Sequence, residues 1–180
     1  METHPDFDIP WCIDLLRSDI EVVEVPTREM QNPPSSEVSN SMFLHTLYTP
    51  SAIRAQINFK RPTREPDAIT LYEYCYLLSI GSGVDGKRGR AHGGFNALIL
   101  DQMTGTIAAQ VGGGTAPATA TMTVDYKAPI DTPSVILCRG WPVEKSGRKV
   151  WVKANVEDGA GRVLAVAKAL FVSARQESKI

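Results

Sequence analysis

The sequence predicts an α+β fold in which an antiparallel sheet curls around one long helix. One long helical pattern runs from Gly93 to Val111 and is followed by consecutive glycines, which commonly end helices. A strand pattern precedes it from Ile69 to Ile80, and four further strand patterns follow it as far as Val172. A chain of 180 residues is long enough for one such domain with a buried core.

The four later strands are predicted from alternation and from turn residues between them. Residues 119–127 alternate cleanly, with Thr119, Thr121 and Thr123 on one face. The patterns that follow cover residues 135–141, 150–156 and 163–172. Glycine-containing turns separate the last three, and residues 86–90 are expected to be a loop.

Residues 1–66 differ in character and are expected to form an N-terminal helical extension and linker. A short helix is predicted from Pro10 to about Ser18, and a second helical stretch from Ser35 to about Phe59. A proline-rich linker joins them. The main domain is placed at 67–175 and a short tail at 176–180. We expect the extension to serve packing or regulation.

Composition excludes several classes of protein. The net charge of -1 argues against nucleic acid or an anionic membrane as the main partner, since both select basic surfaces. The three cysteines are far apart, which is not a disulfide framework and suits a reducing compartment. Histidines and cysteines do not cluster, so no metal site is expected. No apolar stretch approaches the ~20 residues of a membrane span, and the acidic N-terminus is unlike a signal peptide, so the predicted location is cytoplasmic.

Asp101 is the candidate catalytic residue because of its place on the predicted helix. Aspartate has poor helix propensity, and no lysine or arginine lies three or four residues away. The residues on the same face of the helix are mostly small, so this face could approach another surface closely. A carboxylate on a buried face is unfavourable unless it is hydrogen-bonded or functional. The members of this face are Gly94, Ala97, Leu98, Thr104, Gly105 and Ala108.

The start of the same helix is a candidate oxyanion site. His92, Gly93 and Gly94 place consecutive backbone N–H groups at a helix N-terminus, with little side chain to obstruct approach. These donors and the positive end of the helix dipole suit a polarised carbonyl or a developing oxyanion.

Five segments together resemble the hotdog-fold acyl-coenzyme A thioesterases of the phenylacetate-pathway (PaaI-like) group, especially its eukaryotic members. The resemblance extends from about residue 70 to residue 173. The segments are residues 90–94 (Arg-Ala-His-Gly-Gly), Asp101, residues 119–130, residues 147–149 (Gly-Arg-Lys) and residues 165–172.

This resemblance implies a hotdog fold and hydrolysis of an acyl thioester. Asp101 would be the general base or the nucleophile, and Gly93 N–H the oxyanion donor in a turn shaped by His92. Thr119, from the partner subunit, would orient the water. Two subunits would join edge to edge into one sheet as a homodimer, and dimers would pair again. No metal or redox cofactor is implied, and coenzyme A enters as part of the substrate.

Several basic residues are candidates for the coenzyme A phosphates. Arg88 and Arg90 precede the helix, beside Gly94, and Arg148 with Lys149 lies at a predicted hairpin. A solvated basic turn explains them equally well. Many relatives carry an asparagine about six residues before the histidine, whereas this chain has Gly86 near that position.

Two other functions fit the sequence. One is release or modification of an acyl or polyketide chain held on an acyl carrier protein, with the basic loops docking that protein. The other is a non-catalytic acyl-binding hotdog domain. The residues do not identify the acyl group.

Overall fold

The computed structural model describes residues 4–27, 39–113 and 116–175. Seven strands form one antiparallel sheet in the order β1-β2-β3-β7-β8-β9-β6. These strands are β1 (Glu21–Glu24), β2 (Ile53–Pro62), β3 (Tyr72–Ile80), β6 (Ala118–Tyr126), β7 (Ser134–Ser146), β8 (Lys149–Glu157) and β9 (Val163–Val172). The helices are α1 (Pro10–Leu16), α2 (Gly93–Gly112), two 3-10 turns (Pro5–Phe7, Ser82–Val84) and a π-helical turn (Met42–Leu47). Two short strands, β4 (Asp85–Lys87) and β5 (Arg90–Ala91), make a hairpin just before α2.

The long helix α2 packs against one face of the sheet and forms the main core. Its buried face carries Phe95, Ile99, Met103 and Ile107, the bulky side chains at helical spacing. Opposite them on β7, Gly140 has no side chain, and a Cβ there would lie 2.7 Å from Ile107 Cδ1. The helix therefore lies closer to the strand than it could if position 140 carried a side chain.

The N-terminal segment, residues 4–20, covers the other face of the sheet. Phe7 and Cys12 are buried against side chains of β2, β3 and β7, including Phe59 and Leu77. Ser79 on β3 also donates a 2.6 Å hydrogen bond to Asp6. Both faces of this part of the sheet are thus buried within one chain.

Most predicted elements are confirmed. The helix from Pro10, the strand ending at Ile80, the long helix and the four later strands all form, and β7 extends beyond its predicted end. Gly113 ends α2 in the left-handed conformation at φ 103°, where glycine is favoured.

The predicted helix from Ser35 to Phe59 is wrong over its second half. Residues 53–62 form β2, because Ala55, Ile57 and Phe59 alternate with polar residues and bury one side of a strand. β2 pairs with β3, so the sheet continues across the predicted domain boundary at residue 66. The expected loop at 86–90 is also more ordered, since it forms the β4–β5 hairpin.

Some predictions lie outside the described residues. They are most of the proline-rich linker, the start of the second predicted helix at Ser35 and the tail at 176–180. The division of the chain at residue 66 stays a prediction. Within the described ranges, no helix is both long and apolar enough to cross a membrane.

The three cysteines are free and buried, and this gives a first prediction. Burial raises the pKa of the Cys12 and Cys75 thiols to about 12, so the reactive thiolate is scarce at neutral pH. We expect the native chain to react negligibly with a colorimetric thiol reagent at neutral pH, and the chain unfolded in denaturant to titrate all three thiols. Rapid reaction of the native chain would contradict the burial described above. The same measurement is the blank for any assay that detects a released thiol.

Candidate functional site

His92 holds the start of α2. It is the N-cap residue, with extended backbone angles (φ -64°, ψ 139°), and its Nδ1 accepts a 2.8 Å hydrogen bond from Gly94 N–H. Its own N–H donates to Val84 O, which anchors the turn to the preceding segment. A neutral ring that accepts through Nδ1 carries its proton on Nε2. The Gly94 N–H is therefore used by the cap and not free for a ligand.

Gly93 provides the free donor at this helix end. Within the described residues its N–H has no acceptor, as expected for the first residue of a helix. Tyr126 Oη donates 3.0 Å to Gly93 O and so holds the same peptide from the other side. Both residues line an open cavity of about 570 Å³. Its other lining residues are Gly86, Lys87, Arg90, Ala91, His92, Asn96, Lys127, Ala128, Pro129 and Ile130.

Asp101 is held by Thr119. Thr119 Oγ1 on β6 donates a 2.9 Å hydrogen bond to Asp101 Oδ1, and the carboxylate is half-buried. Within the described ranges Asp101 forms no ion pair, so no cation neutralises it. The pair forms inside one chain, which departs from the expectation that Thr119 is supplied by the partner subunit. Local geometry explains this, because β6 follows α2 closely in the sequence and the start of the strand lies beside the middle of the helix.

Asp101 and Gly93 do not meet within one chain. Eight positions separate them on α2, which at the rise of a helix is about 12 Å along the axis. No single carbonyl can touch the Asp101 carboxylate and the Gly93 N–H at that distance. One chain therefore holds two half-sites, a carboxylate with its threonine and a helix start with its cavity.

The face of α2 that carries Asp101 is open, not buried as expected. Ala97, Leu98 and Gly105 on this face are only partly covered by their own chain. Thr104 and Ala108 are buried against the sheet instead, because they lie between the face that carries Asp101 and the buried face of the helix. The open face adjoins β6, which is an edge strand of the sheet.

The basic candidates separate into two groups. Arg90 lines the cavity beside His92, and Arg88 lies in the exposed turn before it. Arg148 and Lys149 lie at the opposite end of α2, where Arg148 Nη1 donates to Ser173 O and Lys145 Nζ donates to Val111 O. The structure therefore does not bring the two groups together in one chain.

The sequence reasoning missed two residues of the cavity. Tyr126 was assigned only to a strand face, although an aromatic hydroxyl on an edge strand is a usable polar group. Asn96 is 5% exposed and lies in the apolar stripe between Phe95 and Ile99, where a buried amide is unusual. A polar residue on the core face of a predicted helix is the signal that could have identified it. The described residues contain no group of three or more potential metal ligands.

A family model matches the part of the chain that carries these residues. It is the model of the thioesterase superfamily, and it matches residues 88–165, which include Gly93, Asp101 and Thr119. Over these residues the chain is similar to that superfamily. The predicted resemblance and the predicted hotdog fold are thereby confirmed.

Individual relatives extend the comparison. The acyl-coenzyme A thioesterase THEM4 of Xenopus laevis is 32% identical, over 56% of this chain and 50% of that protein. A Streptococcus mutans protein bound to acetyl CoA has a TM-score of 0.54 at 17% identity, covering 58% of this chain and 82% of that one. The Escherichia coli PaaI protein of phenylacetic acid degradation has a TM-score of 0.53 at 10% identity, covering 57% and 73%. The two structures share the fold, and this chain spans about half the length of the curated relatives it matches.

Proposed function

We propose that this chain hydrolyses an acyl thioester of coenzyme A to a free acid and a free thiol. The observation that carries the proposal is the pair of half-sites on α2. A cation-free carboxylate held by a hydroxyl can act on water, and an unpaired helix N–H can stabilise negative charge on oxygen. Hydrolysis of a thioester needs both the carboxylate and the N–H donor at its carbonyl group at the same time.

The chemistry balances without a metal or a redox group. With Asp101 as general base, the carboxylate takes a proton from water as the water oxygen bonds to the carbonyl carbon. The carbonyl oxygen becomes an oxyanion that accepts a hydrogen bond from Gly93 N–H. The oxyanion then reforms the carbonyl as the carbon–sulfur bond breaks, and the thiolate takes up the proton that Asp101 had accepted, which restores the carboxylate. If Asp101 is instead the nucleophile, it forms an acyl anhydride that water hydrolyses to the same products.

A second copy of the chain would complete each site. In an antiparallel pair of α2 helices related by a twofold axis near Ala97, Asp101 of one copy lies opposite Gly93 of its partner. Ala97 is halfway between these two positions on the helix and lies on the open, mostly small face, so the helices can approach closely there. The free edge of β6 would pair with its symmetry mate and join the two sheets.

Basic side chains around the mouth of the cavity support coenzyme A as the thiol carrier. Lys87, Arg90 and Lys127 lie around the mouth, and they can pair with phosphate groups. The names of the relatives and the acetyl CoA bound to the Streptococcus mutans neighbour support the same choice. Pairing of dimers into tetramers and the cytoplasmic location stay predictions.

Replacing Gly93 by proline tests the oxyanion donor. Gly93 is the first residue of α2, where proline is well tolerated, and His92 already has the extended conformation that a following proline requires. The variant loses one N–H, and its added Cβ would lie 3.5 Å from Tyr126 Cε1, an ordinary van der Waals contact. We expect kcat for acyl-coenzyme A hydrolysis to fall by about 10²–10³-fold, as for other oxyanion donors, with the thermal midpoint near that of the parent. Gly93→Ala keeps the N–H and should lose much less activity. Equal rates in the alanine and proline variants would contradict the assignment.

Mixing two inactive variants tests the shared site. Gly93→Pro and Asp101→Asn each break both sites of a homodimer, whereas a mixed dimer has one site with both groups intact. After unfolding and refolding together in equal amounts, activity should return to about one quarter of the parental rate, because half of the dimers carry one intact site of two. No recovery, with mixed dimers demonstrated by tagged purification, would overturn the shared-site arrangement.

A further inference from the structure

Asn96 is a buried amide that the chain itself does not use. Its side chain is 5% exposed and makes no hydrogen bond within the described residues, and Oδ1 is fully enclosed without a partner. It lies on the core face of α2, beside Phe95 and Ile99. Burying an unpaired amide is unfavourable, and an aliphatic side chain of similar size would pack there without that penalty. Folding alone therefore does not explain the asparagine.

The position of Asn96 connects it to the free donor at the helix start. It lines the same cavity as Gly93, three residues earlier, so the two are neighbours on one side of the helix. Side chains of a helix tilt toward its N-terminus, which directs the amide toward the Gly93 end of the cavity. Since Oδ1 is the enclosed end, the Nδ2 amino group is the end left to face the cavity.

Two other polar groups at this end of the cavity are already engaged. Gly94 N–H donates to His92 Nδ1, and Tyr126 Oη donates to Gly93 O. Gly86 contributes no side chain, and a Cβ there would lie 2.8 Å from His92 Cδ2. At the helix start, Gly93 N–H, the Asn96 amide and the His92 Nε2–H thus remain as donors available to a bound oxygen, and of the two side chains only Asn96 is buried.

We propose that Asn96 is the second hydrogen-bond donor to the thioester carbonyl oxygen, acting beside Gly93 N–H. This assignment rests on the proposed hydrolase function and specifies its oxyanion site. As water adds to the carbonyl carbon, negative charge collects on the oxygen, and two donors stabilise it better than one. Because this charge exists only in the transition state and the intermediate, Asn96 acts on kcat far more than on KM.

The test replaces Asn96 by leucine, which fills the space and removes the donor. Activity is measured on acetyl-, hexanoyl- and phenylacetyl-coenzyme A with detection of free thiol. We expect Asn96→Leu to lower kcat by about 10²-fold with little change in KM, and to leave the thermal midpoint equal or higher because an unpaired buried amide is gone. Thr106→Val, another loss of a polar group on α2 but outside this cavity, should lower the midpoint and leave kcat near the parental value.

The outcomes separate the two proposals. If the parent hydrolyses none of the thioesters, the hydrolase function fails, and binding of trifluoroacetonyl-coenzyme A, a ketone that hydrates to a tetrahedral mimic of the intermediate, then tests Asn96 alone. Weaker binding by Asn96→Leu supports a contact with the carbonyl, and equal binding overturns it. If the parent is active, a parental kcat in Asn96→Leu overturns the assignment, as does a loss of activity matched by a loss of thermal stability. Should Asn96→Leu fail to fold, the smaller Asn96→Ala decides, since alanine removes the amide donor and kcat must fall.

Discussion

Replacing Asp101 by asparagine is expected to lower kcat for thioester hydrolysis by about two orders of magnitude or more, since general-base assistance is worth about 10²–10⁴-fold. Asparagine has nearly the same size, and its Oδ1 can still accept the 2.9 Å hydrogen bond from Thr119. The variant should therefore fold and assemble as the parent does. It lacks only the basicity that activates water, or the nucleophile itself.

Steady-state kinetics with acyl-coenzyme A, together with the thermal midpoint and light scattering, measures this effect. Thr119→Ala is the matched comparison, because it removes the hydroxyl that holds the carboxylate and leaves the carboxylate in place. We expect its kcat to fall less than that of Asp101→Asn. A parental rate in Asp101→Asn would show that this carboxylate is not the catalytic group, and the proposed hydrolase mechanism would have to be abandoned.

The largest expected loss of stability comes from Arg139→Met. The Arg139 side chain on β7 is 16% exposed and pairs with three carboxylates, Glu65, Glu73 and Glu157, of which Glu73 is 3% exposed. Burial disfavours the charged guanidinium, but hydrogen bonds to Glu157 and Glu65 outweigh this effect and hold the pKa of Arg139 above its ordinary value. Removing the cation leaves buried carboxylates near one another, which typically destabilises a protein by about 3–5 kcal/mol.

Denaturant unfolding of the variant and of Lys153→Met distinguishes this network from an ordinary ion pair. Lys153 pairs with Asp67 in a setting where the two side chains are 40% and 41% exposed, so its loss should change the free energy of unfolding by less than about 1 kcal/mol. Adding Glu157→Gln to Arg139→Met should restore part of the loss, because Glu157 is 12% exposed and loses its ion-pair partner when Arg139 is replaced. Equal, small effects of Arg139→Met and Lys153→Met would show that the network contributes no more than a surface pair.

The parts of the fold that the sequence predicts correctly are those that local periodicity determines. The buried stripe of α2 and the alternation of the last four strands need no information about distant residues. β2 was missed although Ala55, Ile57 and Phe59 alternate with polar residues, because that short stretch also contains residues that favour helices. Pairing with β3, which the local pattern does not reveal, makes it a strand.

The site residues also divide into those that the local sequence identifies and those that depend on distant residues. Asp101 and the His92-Gly93 turn are recognisable because each is a local feature of one helix. Asn96 becomes a candidate only when residues 126–130 close the cavity beside it. The position of Arg148 relative to the start of α2 cannot be predicted from the local sequence either. The register of β7 against β8 places that hairpin at the far end of α2.

The N-terminal segment that lies over the sheet has a consequence for how copies of this protein can stack. Phe7 and Cys12 pack on the face of the sheet opposite α2, so residues of the same chain already cover that face. Two dimers cannot use that surface to meet back to back without first displacing about a tenth of the chain. A back-to-back contact on that side would therefore be made by the N-terminal segment itself and not by the strands beneath it.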